Sequence, residues 1–319
     1  MPIVLTRTVN PAVDISTSVA RVEPSRKLRC TAESRDPGGG GINVARVAHR
    51  LGARAVAIYP AGGFVGQRLE ALVRSEGVES VVVPVQDETR EDLTVLDETT
   101  REEYRFVLRG PHLRDAEWMR CLKVLADLDL KPDFVCASGS LPPGAPEDFY
   151  ARVAEIVECH GVPFALDTAG PALKAALRER IRLIKPNLAE LRELVGGALD
   201  EDRSLIAACR TLVAGGRTEI VALTLGAQGA LLVTADAAWR AQPLPIRPLS
   251  TVGAGDSFLG SMVWALSSKL SLEEAFRYGA AGGAAALLAP ATDLCHAANV
   301  RRFLPQVVIE RVKEASAVR

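Results

Sequence analysis

Short β-branched runs recur along this chain with helical patterns between them, and that alternation restricts the fold more than any other feature of the sequence. The runs are IVLT at 3–6, AVAIY at 55–59, FVCAS at 134–138, PFALD at 163–167, IRLIK at 181–185, IVALT at 220–224 and ALLVT at 230–234, each bounded by Gly, Pro or Asp. Their unbroken apolar character predicts strands buried on both faces. Between them, Val44, Val47, Ala48 and Leu51 follow the i, i+3, i+4, i+7 spacing of one helix face, and comparable faces occur at 65–76, 146–160 and 201–214. Alternating elements of this kind predict a largely parallel sheet covered by helices on both sides. Ligands of such sheets bind beyond the carboxyl ends of the strands. That rule directs attention to Asn10 to Asp14, Ser138 to Ser140, Asp167, Lys185 to Asn187 and Thr224 to Gly226.

Two stretches depart from the pattern. Residues 14–34 and 90–108 alternate polar and apolar side chains and carry few helix signals, which predicts antiparallel strands standing off the main sheet as a small β-lid. From Asp256 onward the chain is Ala-rich and predicted helical. With no flexible linker, internal repeat or low-complexity tail, residues 1–319 read as one α/β domain with the two lid segments inserted in it.

Composition removes several classes of function. Lys and Arg number 38 against 39 Asp and Glu, a formal charge of −1, which argues against affinity based on neutralising nucleic-acid phosphates. No segment approaches the ~18 uninterrupted apolar residues that a membrane span requires, and the start MPIVLTRTVNPAVD lacks a basic region followed by a long apolar stretch. A cytoplasmic protein with neither a nucleic-acid nor a membrane partner is expected. Six cysteines form no C-x-x-C, and four histidines form no i, i+4 pair, so a zinc site is not expected and the thiols are expected to be free and buried.

The sharpest local signal is STVGAGDSFLGSMVWAL at 250–266, where Gly253-Ala254-Gly255 leads into an apolar helix beginning near Asp256. Unpaired N–H groups opening a helix, with the positive end of its dipole, make a site for anionic oxygen. Asp256 could be an ordinary N-cap. Beside an anion hole it can instead be the base that takes a proton from an attacking hydroxyl while the amides stabilise a transferring phosphoryl group. The second signal is PGGGGINVARVAHRLGA at 37–53, four glycines followed by Asn43 at a helix start. It matches neither G-x-x-x-x-G-K-[ST] nor G-x-G-x-x-G. It reads either as a loop that needs positive φ or as a glycine wall against which a polyol approaches the backbone, with Asn43 offering both donor and acceptor.

Taken in order, GGGGIN at 38–43, SGSLPPG at 138–144, KPNLAE at 185–190, TLGAQG at 224–229 and STVGAGDS at 250–257 resemble the motifs of the ribokinase-like (PfkB) carbohydrate kinases. The likeness extends over essentially the whole chain. KLRCTA at 27–32, AGG at 61–63 and YRF at 104–106 are most similar to the family's 6-phosphofructokinase branch. The resemblance implies a ribokinase-like three-layer α/β/α sandwich with a small β-lid, a homodimer formed through that lid, and Mg²⁺ as cofactor with ATP as co-substrate. It further implies transfer of a phosphoryl group to fructose 6-phosphate, giving fructose 1,6-bisphosphate.

By the same resemblance Asp256 is the base, with Gly253, Ala254 and Gly255 as its anion hole. Asp14, Gly39, Asn43 and Ser138 match positions on the sugar, and Arg90 and Arg105 match its phosphate contacts, with Lys27 and Arg29 as further basic candidates in the lid segments. Lys185, Asn187, Thr224, Gly226, Gly229, Thr251 and Val252 match the nucleotide side. Asn187 and Glu190 match an N-x-x-E pair that organises Mg²⁺ through water. Without the motif, Glu190 would read as a solvated helix charge and the lid cations as solvent-facing gatekeepers. APATD at 289–293 stands where related enzymes carry a polar loop for a monovalent cation, so no such site is assigned. The competing activities are a 1-phosphofructokinase, a tagatose-6-phosphate kinase or a kinase of an unphosphorylated sugar. A non-catalytic sugar or nucleotide sensor is the rival from another class, and it has no use for a base at an anion hole.

Overall fold

The computed structural model describes residues 1–197 and 199–312. From the N-terminus the chain forms β1 (Ile3–Arg7), β2 (Ala12–Val19), β3 (Ser34–Gly38), α1 (Gly40–Arg50), β4 (Arg54–Ala61), α2 (Gly63–Ser75), β5 (Glu79–Pro84), β6 (Arg90–Asp97) and β7 (Glu103–Phe106). It continues through α3 (Asp115–Ala126), β8 (Phe134–Ser138), α4 (Phe149–Cys159), β9 (Phe164–Asp167), α5 (Gly170–Ala176), β10 (Ile181–Ile184), α6 (Leu188–Val195), α7 (Asp202–Ala214) and β11 (Thr218–Thr224). The last elements are β12 (Ala230–Val233), β13 (Ala238–Ala241), α8 (Ala254–Ser267), α9 (Leu272–Ala286), α10 (Ala297–Phe303) and β14 (Ile309–Arg311). Each β-branched run became a strand. β5, β13 and β14 were not anticipated, and β14 interrupts a region expected to be helical. Its three residues are too short to show a period.

Among the described residues ten strands form one sheet in the order β14-β13-β12-β11-β10-β9-β8-β1-β4-β5. Pairing is parallel from β5 across to β11 and antiparallel from β11 to β14. Alternate residues explain the doubly buried strands. Leu5, Ile58, Val135, Leu166, Ile184 and Val221 pack with α3 to α7 on one face, while Val4, Phe134, Ala165, Leu183 and Ile220 pack with α1, α8 and α9 on the other. The chain starts in the middle at β1, runs outward through β4 to β5, then returns to β8 on the opposite side of β1. The crevice beyond the carboxyl ends of β1 and β8 is therefore a topological switch point, where open α/β sheets bind ligands.

The small sheet has the order β3-β2-β6-β7. β2 pairs antiparallel with β3, and β6 with β7, but β2 and β6 run parallel, from Ala12 beside Arg90 to Val19 beside Asp97. The expected all-antiparallel lid is corrected in that central pair, because alternation reveals a strand's two faces and not its neighbour's direction. Residues 20–33 form a connection rather than a strand, so Lys27 and Arg29 sit on a loop. At the root of this sheet Val13 and Ile15 pack against α1 and α2. Further out, Leu93, Tyr104 and Phe106 on the same face are exposed.

Burial of the thiols is corrected in two places: Cys121, Cys136, Cys209 and Cys295 are covered, but Cys30 on the β2–β3 loop and Cys159 at the end of α4 are exposed. All six are free. No helix among the described residues is long and apolar enough to cross a membrane. Arg7, the last residue of β1, is fully buried. Its guanidinium lies 5.9 Å from the Phe149 ring and meets no hydrogen-bond acceptor among the described residues, an arrangement that burdens the core with a charge only partly offset by the ring.

Candidate active site

α1 begins directly over the ends of β1 and β8, and the glycine run is what permits it. A Cβ on Gly41 would stand 2.3 Å from the Arg7 carbonyl oxygen, and one on Gly40 2.1 Å from Ser138 Oγ. The chain's own packing requires these two glycines, whatever a ligand adds. The close approach aims Asn43, in the first turn of α1, at α8, where its Nδ2 donates to Asp256 Oδ2 at 2.9 Å. Asn43 Oδ1 accepts in turn from Arg46 Nη1 at 3.3 Å, which orients the amide.

α8 starts at Ala254, two residues earlier than expected, with Gly253 as its N-cap in the left-handed region at φ 71°. Asp256 lies in the first turn and makes no cap bond, so the plain N-cap alternative is not what the structure shows. Leu294 crowds Gly253, where a Cβ would fall 2.4 Å from Leu294 Cδ2. The amides of Gly255 and Asp256 precede the first intrahelical donor, Ser257 N, which bonds Gly253 O at 2.8 Å, and they face the positive end of the helix dipole.

The carboxyl ends of β8, β9 and β10 complete the cluster. Lys185, just past β10 and 5% exposed, places Nζ 3.2 Å from Asp167 Oδ1, and Ser138 Oγ donates to Asp167 Oδ2 at 3.4 Å. A Cβ on Gly255 would stand 3.4 Å from Lys185 Nζ, so the ammonium adjoins the glycine turn. Burial, reinforced by the Asp167 charge, pushes the Asp256 carboxyl up to about 6, against the pull of the Asn43 amide, Lys185 and Ser138. Burial opposes the charge of Lys185, but Asp167, Glu190 and Asp256 outweigh it and hold the ammonium above its ordinary value. Lys185 was expected on the nucleotide phosphates alone, whereas the structure seats it in the same cluster as Asp256. Asp167, at the end of β9 where the strand-end rule points, contacts Ser138 and Lys185 and so belongs to the same cluster.

At the start of α6, Asn187 and Glu190 form a reciprocal capping box. Asn187 Oδ1 accepts from Glu190 N at 2.9 Å, and Glu190 Oε2 accepts from Asn187 N at 2.8 Å. Burial raises the Glu190 carboxyl, with the Asp167 charge adding to it and the Asn187 amide and Lys185 opposing. Among the described residues no group of three His, Cys, Asp or Glu side chains converges as a direct metal cage. Two mutually repelling carboxylates, Asp167 and Glu190, instead fit a hydrated hard cation held through water. Thr224 bridges to Asn187, and its amide bonds Pro186 O at 3.0 Å. The turn containing Gly226 and Gly229 follows, both at positive φ. Val252 is buried and Thr251 exposed. Ser250 Oγ receives the Val252 amide and donates to Glu103 of β7 at 3.1 Å, tying the small sheet to the loop before α8.

On the small sheet, Asp14 stands in register between Asp36 of β3 and Asp92 of β6. Burial, reinforced by Asp92, pushes its carboxyl up to about 7, against Arg90, Arg105 and Arg46. Arg90 is largely buried. Its Nη1 donates to Leu108 O at 2.6 Å and pairs with Asp92 Oδ2 at 3.2 Å, and its Nη2 donates to Asn10 O at 3.1 Å. Arg105, Lys27 and Arg29 are exposed. The four lid cations expected to converge are thus divided, with one tethered at the crevice and three in solvent. Gly39, the N-cap of α1 at φ 105°, lies between the small sheet and the crevice.

A family model described as pfkB family carbohydrate kinase matches residues 6–298. The chain is 45% identical over 302 residues to the ATP-dependent 6-phosphofructokinase isozyme 2 of Mycobacterium tuberculosis, covering 95% of this chain and 89% of that protein. It is 31% identical over 309 residues to the 1-phosphofructokinase of Bacillus subtilis, covering 97% and 100%. The crystal structure of phosphofructokinase-2 from Escherichia coli in complex with potassium superimposes with a TM-score of 0.91 at 37% identity, covering 96% of this chain and 99% of that one.

Proposed function

The chain belongs to the pfkB family of carbohydrate kinases, and from that premise we propose that it transfers the terminal phosphoryl group of ATP to a primary hydroxyl of fructose 6-phosphate, giving fructose 1,6-bisphosphate. The observation that carries this reading is Asp256: a carboxylate in the first turn of α8, held by Asn43 at 2.9 Å, beside two helix-opening amides and the Lys185 ammonium. In the reaction the sugar hydroxyl gives its proton to Asp256, and its oxygen forms a bond to the γ-phosphorus. The bond from that phosphorus to the β–γ bridging oxygen breaks, and ADP leaves with the electron pair. Gly255, the Asp256 amide and Lys185 meet the charge on the transferring group. Asp14, Gly39, Asn43 and Ser138 hold the sugar hydroxyls, while Arg90 and Arg105 face its phosphate. Thr224, Gly226, Gly229, Thr251 and Val252 line the nucleotide. Asp167, Glu190 and Asn187 are the residues that would hold Mg²⁺ through water, and the ion would supply charge neutralisation on the ATP phosphates.

A 1-phosphofructokinase is the second reading, favoured by the full-length similarity to the Bacillus subtilis enzyme. The exposed apolar face of Leu93, Tyr104 and Phe106 supports a homodimer formed through the small sheet, since isolated apolar sheet faces need cover. Release of ADP measured with fructose 6-phosphate, fructose 1-phosphate, tagatose 6-phosphate, fructose and ribose tests the assignment. The highest kcat/KM is expected for fructose 6-phosphate. A preference for fructose 1-phosphate would select the second reading, and a preference for fructose or ribose would remove both.

A further inference from the structure

The small sheet carries a row of three carboxylates, Asp36, Asp14 and Asp92, directly opposite one another on β3, β2 and β6. Neighbours in register share a face of a sheet, and like charges so placed repel unless cations intervene. Arg46 of α1 approaches Asp36, with Nη2 3.8 Å from Oδ1, and Thr292 Oγ1 donates to Asp36 Oδ2 at 2.6 Å. At the other end, Asp92 is only 16% exposed and faces Arg90, which is 10% exposed. Asp92 Oδ1 also accepts the Leu108 amide at 2.9 Å. The Arg90 fork is therefore fixed three ways, by Asp92 and by the carbonyls of Leu108 and Asn10. Two of those ties are neutral and one carries a charge.

This arrangement changes what Arg90 offers a ligand. Its position does not depend on the carboxylate alone, because both carbonyls hold the fork. Its charge, in contrast, is offset locally by Asp92. We infer that Asp92 is a positioning residue acting through Arg90: with the guanidinium held at the crevice by the two carbonyls, Asp92 sets how strongly the sugar site selects a phosphorylated substrate by offsetting the positive charge that would meet the sugar's phosphate. Selection for phosphate then depends on the balance of this row, and Arg105 on β7, exposed beside it and felt by Asp14, supplies the second cation.

The inference rests on the proposed phosphosugar substrate, and the experiment keeps the two apart. Kinetic constants are measured for wild type, Asp92→Asn and Asp92→Ser with fructose 6-phosphate, fructose 1-phosphate, fructose and ATP. The Asn amide oxygen keeps an acceptor for the Leu108 amide while removing the charge, and Ser supplies a second uncharged acceptor. Both variants are expected to lower the KM of the preferred phosphosugar by about threefold to tenfold, with kcat, the ATP KM and the fructose KM within about twofold of wild type. In an Arg90→Met background the Asp92→Asn change is expected to lose most of that effect. An unchanged or raised phosphosugar KM in both variants, with wild type still preferring a phosphosugar, overturns the role of Asp92 and leaves the substrate assignment standing. A wild type that prefers fructose overturns both.

Discussion

The two charged clusters that face the crevice are built in opposite ways. In the rim cluster, Asp256, Asp167, Lys185, Ser138 and Asn43 each project from a strand end of the large sheet or the first turn of a helix packed on it. Covered helix layers on both sides fix those backbones. In the small sheet, Asp14 and Arg90 are largely covered, but Arg105 on β7 is exposed, and Lys27 and Arg29 extend into solvent from the loop between β2 and β3. For the proposed kinase the contrast separates two requirements. Proton transfer needs groups held to within fractions of an ångström, and the rim supplies that rigidity. Selecting a phosphorylated over a free sugar depends on a charge balance, which a thin sheet can change by one residue without disturbing the core.

If this division is right, its largest consequence falls on the rim. Asp256→Asn should retain the fold and near wild-type ATP binding, yet lose ~10²–10⁴ in kcat. A coupled ADP-release assay beside a thermal melt checks both. The same carboxyl, raised to about 6, is protonated below that pH and cannot accept a proton. The kcat profile should therefore fall on the acid side of about 6, and substituting Asp167→Asn, which removes a neighbouring negative charge, should move that limb lower. Near wild-type kcat in Asp256→Asn would place the chemistry elsewhere and dissolve the contrast.

A smaller effect belongs to the row. Arg105→Ala should raise the phosphosugar KM at least tenfold, on the scale of ~1.5–3 kcal/mol for a charge-assisted bond, and barely move the ATP KM. Steady-state kinetics with a phosphorylated and a free sugar read it directly. Equal effects on both sugars would mean that Arg105 acts through the sheet rather than on the phosphate. The smallest change is expected at Glu190, whose carboxylate serves the capping box of α6 as well as the proposed cation. Glu190→Gln keeps an oxygen for the Asn187 amide, so stability should stay within ~0.5 kcal/mol. The Mg²⁺ concentration for half-maximal rate should rise about twofold to fivefold. Overlapping Mg²⁺ titrations would leave Glu190 as a cap alone.

Some of this was legible in the residues and some was not. The strands β1, β4, β8 to β12 and the helices near 65–76, 146–160 and 201–214 followed from period and punctuation, because both faces of the large sheet are covered and every strand residue records it. The glycine run reads as a loop needing positive φ or as a wall for a polyol. It did not announce that Arg7 and Ser138 would be the atoms approached. The N-x-x-E pair predicts a metal role from resemblance, while the same four residues, an Asn followed three positions later by Glu, also carry the signal of the capping box that the structure shows. Asp92 gave no signal at all. Its importance comes from lying opposite Asp14, which requires the parallel pairing of β2 and β6 that alternation misassigned.

Periodicity and glycine punctuation are properties of consecutive residues, so the sequence alone was enough to require a largely parallel sheet covered by helices and a helix opening near Gly253 to Asp256. The order of strands, the switch point between β1 and β8, and the neighbours of each buried charge depend on contacts between distant segments. Electrostatic energies vary with separation and burial rather than with residue identity. For that reason only the tertiary structure could show that Lys185 joins Asp256, that three carboxylates share one face of the small sheet, and that Arg90 reaches the crevice with its charge already met by Asp92.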